Sequence, residues 1–275
     1  MVTAYLLKKF KKKPLMGGVG RLLFFFPACA VYCFFSCHGK KTSTGTSSDT
    51  AVVVATSSWT AAYAQAAGAK NIIVLAPYDM AHPSEYELRP GDIPKLMDAT
   101  VIVFAGYEVM TERLKKGLSL PADKLVQIDT DYSFESMEKS ICKIAARLGT
   151  ENISRENLSD IQREFDQARK TVEEKRMTNF PVIVHRFQSS FAREIGFVPK
   201  VIFGPSSPEA SEIFTVSKTD AVIIIDNVHN PVGQSFKEVM PTARYFQLLN
   251  FPGRKGTVTL TDVIRYNVTQ LVQEW

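Results

Sequence analysis

Cysteine is scarce in this chain, with four in 275 residues, and Cys29, Cys33 and Cys37 all fall in the first 37. The body therefore keeps only Cys142, which excludes an internal disulfide and any structural metal site built from paired thiols. Cys142 lies in the helix-like stretch "SICKIAARL", where a buried, inert thiol is expected. Acidic residues are missing before Asp49, whereas Lys8, Lys9, Lys11, Lys12, Lys13 and Arg21 all precede it. Without residues 1–36, 27 basic side chains face 28 acidic ones, so the body carries no basic excess for nucleic acid. Neither a His-Glu-x-x-His helix nor a Gly-x-Ser-x-Gly elbow is present, which removes two common hydrolytic frameworks.

The basic N-terminal segment is followed by the apolar stretch Leu22–Ser36, about fifteen residues with Pro27 inside it. That is shorter than the roughly 20 residues of a membrane-spanning helix, so residues 1–36 are expected to be an export signal, with Met16 an alternative start. The signal ends in "FFSC", which resembles a lipobox, so Cys37 is the expected lipidation site and the protein is expected on the outer side of the cytoplasmic membrane or in the periplasm. Residues 37–50, including His38, are polar and Ser/Thr-rich and read as a flexible tether.

From Ala51 apolar runs alternate with helical patterns: "AVVVA", "NIIVLAP", "TVIVFAG" and "KLVQID", then "FPVIVHRF", "PKVIFG", "AVIIID" and "RYFQLL". Strands that are apolar throughout and separated by helices predict parallel sheets covered on both faces. The expected architecture is two α/β lobes, 51–150 and 179–275, joined by one long helix over 151–178. Within that helix Leu158, Ile161, Phe165, Ala168 and Val172 recur at spacings of 3, 4, 3 and 4, with Ser154 as the expected N-cap. Two heptads flanked by α/β units suggest an intramolecular packing face rather than a coiled coil, and hence a monomer.

Ligands of open α/β sheets collect beyond the carboxyl ends of the strands. The polar residues just after apolar runs are His82, Glu108, Asp129, Asp131, His185, Asp226, His229 and Asn250, and they include three of the four histidines. Imidazoles and carboxylates are ligands of Zn²⁺, Mn²⁺ or Fe²⁺. Each histidine alone is equally compatible with capping a turn.

The stretch "AHPSEYELRPGDIPKLMDATVIVFAGYEVMTERL", the later "VIVHRFQSSFAREIGF" and the closing "DVIRYNVTQLV" together resemble the metal-binding solute-binding proteins of ABC importers, the ZnuA/TroA-like zinc and manganese receptors. The resemblance runs from about Ala51 to the end. It implies a metal cleft between the lobes, with His82 and His185 as ligands from opposite lobes, and no catalysis. Where that family commonly has a third histidine this chain has "IDTDYSFESMEKS", so Asp129, with Asp131 close behind, is the implied stand-in. Where the fourth ligand is often an aspartate stands Asn250, and His229 either compensates or is a turn residue. The family's His-rich loop is absent.

The expected function is capture of Zn²⁺ or Mn²⁺ and delivery to a membrane permease and its ATPase by a lipid-anchored receptor. Two other readings stay open. One is an exported zinc hydrolase using His82, His185 and Asp129 with Glu108 as base. The other is a receptor fold turned to another cargo, such as a chelated metal, or to adhesion.

Overall fold

The computed structural model describes residues 50–273. The signal segment, Cys37 and the tether up to Asp49 lie outside them. In chain order the elements are β1 (Val52–Ala55), α1 (Ser58–Ala66), β2 (Asn71–Val74), α2 (Asp92–Asp98), β3 (Val101–Phe104), β4 (Leu125–Gln127), α3 (Phe134–Leu148) and α4 (Glu151–Glu174). They continue with β5 (Val182–His185), α5 (Ser189–Glu194), β6 (Pro199–Phe203), α6 (Ala210–Ser217), β7 (Ile223–Asn227), α7 (Phe236–Val239), β8 (Arg244–Leu248) and α8 (Leu260–Val272). Among the described residues no helix is long and apolar enough to cross a membrane.

The strands form two sheets, ordered β2-β1-β3-β4 and β6-β5-β7-β8. Every pairing is parallel, and the second lobe repeats the order of the first. The central strands β3, β5 and β7 are buried along their whole length, as continuous Val/Ile runs require. In each sheet the connections turn to opposite sides between the first and third strands of the lobe, so a crevice opens at the carboxyl ends there.

Helix α4, at about 1.5 Å per residue, reaches roughly 36 Å and joins the lobes. Its stripe of Leu158, Ile161, Phe165, Ala168 and Val172 is buried throughout. One apolar core runs from Val53 and Val103 of the first sheet through this stripe to Val184 and Ile225 of the second and Ile264 of α8. Each large side chain buried there contributes roughly 1.5–3 kcal/mol. The other faces of the sheets have cores of their own, around Leu96 and Phe104 in the first lobe and around Phe203 and Phe236 in the second.

Two local expectations are corrected. Ser154 is not the N-cap of α4: the helix starts at Glu151, and the Ser154 hydroxyl donates to the Glu151 carbonyl within the first turn at 3.0 Å. Gly149, with φ of 68°, ends α3 in the left-handed conformation, and α4 begins just beyond it. Cys142 is exposed rather than buried. Helix α3 buries Met137, Ile141, Ile144, Ala145 and Leu148, and the residue after Ile141 is turned about 100° away from that face. Desolvation and the nearby Glu138 raise the thiol pKa, so Cys142 stays protonated near neutrality.

The lobes are also fastened by loops. After β8 the chain runs back over the first lobe as a strap: Ser58 Oγ donates to the Pro252 carbonyl at 2.7 Å and Tyr78 OH to the Val258 carbonyl at 3.1 Å. Gly253 crosses the Tyr78 backbone with φ of 118°, a conformation that favours glycine. A second fastening joins the loop before α3 to α5, where Ser190 Oγ donates to Asp131 at 2.8 Å and the Phe134 amide donates to Glu194 at 3.1 Å.

Candidate functional site

The carboxyl ends of both sheets open onto one cavity of about 470 Å³. The first lobe contributes Ser57 and Trp59 after β1, Ala81 to Ser84 after β2, Tyr107 and Glu108 after β3, and Thr130 after β4. The second contributes Phe187 after β5, Asn227, His229 and Asn230 at and beyond the end of β7, and Asn250 and Phe251 after β8.

His229 is the most telling residue of this wall. Asn227 Oδ1 accepts its backbone amide at 2.9 Å, a tight turn that seats the imidazole flat on Phe251, with ring centres 3.7 Å apart and 21° between planes. The residue is 6% exposed, yet neither ring nitrogen has a hydrogen-bond partner. Leaving a buried polar atom unpaired costs about 1–3 kcal/mol, so the ring is poised for an outside partner. Burial, helped by the charges of Arg254 and His82, lowers its pKa to about 4, so the imidazole is neutral and keeps a lone pair. His82 stands exposed before the short turn Pro83–Glu85 and faces the same cavity.

His185 is placed differently. It ends β5 fully buried and is not part of the cavity wall. Its Nδ1 accepts the Phe187 amide at 3.1 Å, which in a neutral ring puts the proton on Nε2. That Nε2 has no partner, and a Cβ at position 204 would lie 2.9 Å from it, so only glycine fits beside the ring. Burial, with the Arg186 charge, lowers its pKa to about 4. In this tautomer Nε2 offers no lone pair, and ligation through it requires Nδ1 to become the donor instead.

The carboxylates are either turned away from the cavity or already hydrogen-bonded. Asp129 is exposed and does not line the cavity, and Asp131 spends its two oxygens on the Ser133 amide at 2.7 Å and on Ser190. Glu108 does line it, but its oxygens accept from Thr56 Oγ1 and the Ala105 amide, both at 2.7 Å, from the Gly106 amide at 2.6 Å and from Thr111 Oγ1 at 3.3 Å. Asp226 accepts from Tyr245 OH and from the amides of Gly233 and Asn227, and Asn250 Oδ1 accepts from Gln188 at 2.6 Å. Among the described residues no group of three or more His, Cys, Asp or Glu is arranged to hold a metal ion. Of the expected ligands, His82 and His229 share the cavity, whereas His185, Asp129 and Asp131 do not reach its wall.

Aromatic side chains supply most of the remaining wall. Trp59 packs against Phe251 at 5.6 Å with the rings tilted by 32° and stacks on Tyr132 at 6.1 Å, while Tyr107 and Phe187 stand half-exposed at the rim. The Trp59 indole N–H is buried and unpaired. A reading confined to ligand-type residues passes over this set, although Tyr107, Phe187 and Phe251 each lie within two positions of a polar residue singled out at a strand end.

No family profile matches the chain, and no curated protein matches it significantly in sequence. Solved structures do share its fold. The SBP FpvC from P. aeruginosa in complex with Ni²⁺ aligns with a TM-score of 0.63 at 15% identity, over 81% of this chain and 96% of that one. The same protein with Mn²⁺ gives 0.63 at 15%, over 81% and 97%. A periplasmic metal binding protein from Candidatus Liberibacter asiaticus aligns at 0.61 and 17%, over 81% and 98%. The chain has the two-lobe α/β fold of these metal-binding solute-binding proteins.

Proposed function

We propose that this chain is the extracytoplasmic solute-binding component of an ABC importer for a divalent transition metal, Zn²⁺ or Mn²⁺, which it takes up in the interlobe cavity and passes to a membrane permease and its ATPase. The observation that carries the reading is His229, a buried, neutral imidazole in the cavity wall with both nitrogens unpartnered. His82, exposed across the same cavity, supplies a second imidazole from the other lobe. The shared fold with proteins solved with bound Ni²⁺ and Mn²⁺ supports a metal cargo. The export signal and lipid anchor at Cys37 expected from the sequence fit a receptor working singly in the periplasm or on the outer face of the cytoplasmic membrane.

A zinc hydrolase reading would need Glu108 as general base. With four donors already on its oxygens, Glu108 has little capacity left to take a proton from water, which favours binding over hydrolysis.

Elemental analysis and calorimetry on the purified protein test the proposal. Wild type is expected to retain metal at about one ion per chain, and His229→Ala and His82→Ala each to retain almost none. Unchanged metal content and affinity in both variants would overturn the assignment.

A further inference from the structure

Resting on the receptor reading above, we infer that the metal enters this cavity already held by an organic chelator with aromatic and anionic groups, and that His82 and His229 complete its coordination.

Size is the first argument. A cavity of about 470 Å³ falls in the range of roughly 300–1,000 Å³ typical of organic ligands. At about 30 Å³ per water in the liquid, it is far larger than a dehydrated cation needs. Its walls are the second. Trp59, Tyr107, Phe187 and Phe251 present ring surface, which has no lone pair to coordinate a metal ion and packs well against a planar ligand.

Coordination is the third argument. Zn²⁺ takes about four ligands and Mn²⁺ about six, whereas the cavity wall offers two imidazoles. The one carboxylate of the wall, Glu108, is saturated by donors of its own lobe, and the described residues provide no third His, Cys, Asp or Glu grouped with the two imidazoles. A chelator brings the missing donors with it.

Charge is the fourth. The pair of imidazoles does nothing to neutralise a dication, and Arg254, on the strap, acts on His229 with a positive charge. That guanidinium repels a bare dication and attracts a complex bearing carboxylates, and it acts against the one negative charge of the wall, the hydrogen-bonded Glu108. The unpaired Trp59 indole N–H is a further donor for a carboxylate oxygen.

The test measures binding of three probes to the purified full chain by calorimetry: Zn²⁺ alone, pyridine-2,6-dicarboxylate alone, and their 1:1 complex. The complex is expected to bind at least tenfold more tightly than either component. His229→Ala is expected to abolish that advantage. Phe187→Ala removes a half-exposed wall residue outside the core, and is expected to weaken the complex about tenfold, a larger loss than it causes for Zn²⁺ alone. Zn²⁺ binding as tightly as the complex would overturn the chelate inference and leave the receptor reading standing. The dicarboxylate binding alone as tightly as the complex would overturn it by removing the metal from recognition. Failure of all three probes would sink both readings.

Discussion

Replacing Gly253 with alanine would put a Cβ 2.2 Å from the Tyr78 carbonyl oxygen, at a residue whose φ is 118°. The positive φ alone costs a non-glycine residue roughly 1–2 kcal/mol. The clash cannot be relieved by rotating a side chain, because the opposing atom is backbone. The strap must therefore withdraw by about 1 Å, weakening the Ser58–Pro252 and Tyr78–Val258 hydrogen bonds, each worth about 1 kcal/mol. The total is about 3–4 kcal/mol, and for a fold of this length each kcal/mol lowers Tm by roughly 2–4 °C. Gly253→Ala is thus expected to melt about 6–16 °C below wild type when followed by circular dichroism on metal-free protein. Gly256 provides the control, since its φ of 76° carries a similar conformational cost but a Cβ there meets nothing within 4 Å. Should Gly253→Ala and Gly256→Ala melt together, the strap does not hold the lobes as described.

The acid stability of the metal-free protein follows from His185 and His229. Their folded pKa values of about 4 lie below the ordinary 6.5, so the unfolded chain binds more protons between those pH values. Their contribution is complete above about pH 6.5 and is lost on acidification towards pH 4, on the order of 2–3 kcal/mol each. Asp226, whose carboxyl pKa is raised by burial, opposes this at the acid end. Urea titrations across that window should show the decline, and a flat profile would contradict it. Asp131→Ala removes the acceptor for Ser133 and for Ser190 of the other lobe, and is expected to cost about 1–3 kcal/mol in chemical denaturation while leaving metal stoichiometry intact. Loss of metal without loss of stability would make Asp131 a ligand instead.

What was legible in the sequence was whatever depends on periodicity. Runs such as "VIVF" and "IIID" demand burial on both faces, and the stripe from Leu158 to Val172 demands a long packed helix; both lie where expected. Less legible was anything decided by a particular contact rather than by a repeating pattern. Ser154 reads as a cap until the turn at Gly149 shows that α4 has already begun. His185 reads as a ligand, yet the Phe187 amide decides which of its nitrogens carries the proton. The meeting of Trp59 with Phe251 and of Phe251 with His229 involves residues up to 192 positions apart, which no local pattern encodes.

The stripe on α4 also governs how the molecule comes together. Neither sheet closes its inner face alone: Val103 on one side and Ile225 on the other both depend on a helix that lies between them in the chain and on Ile264, near its end. Unfolding should therefore be a single cooperative event without a half-folded intermediate, and the first lobe should gain its full protection from amide exchange only once the closing helix has docked.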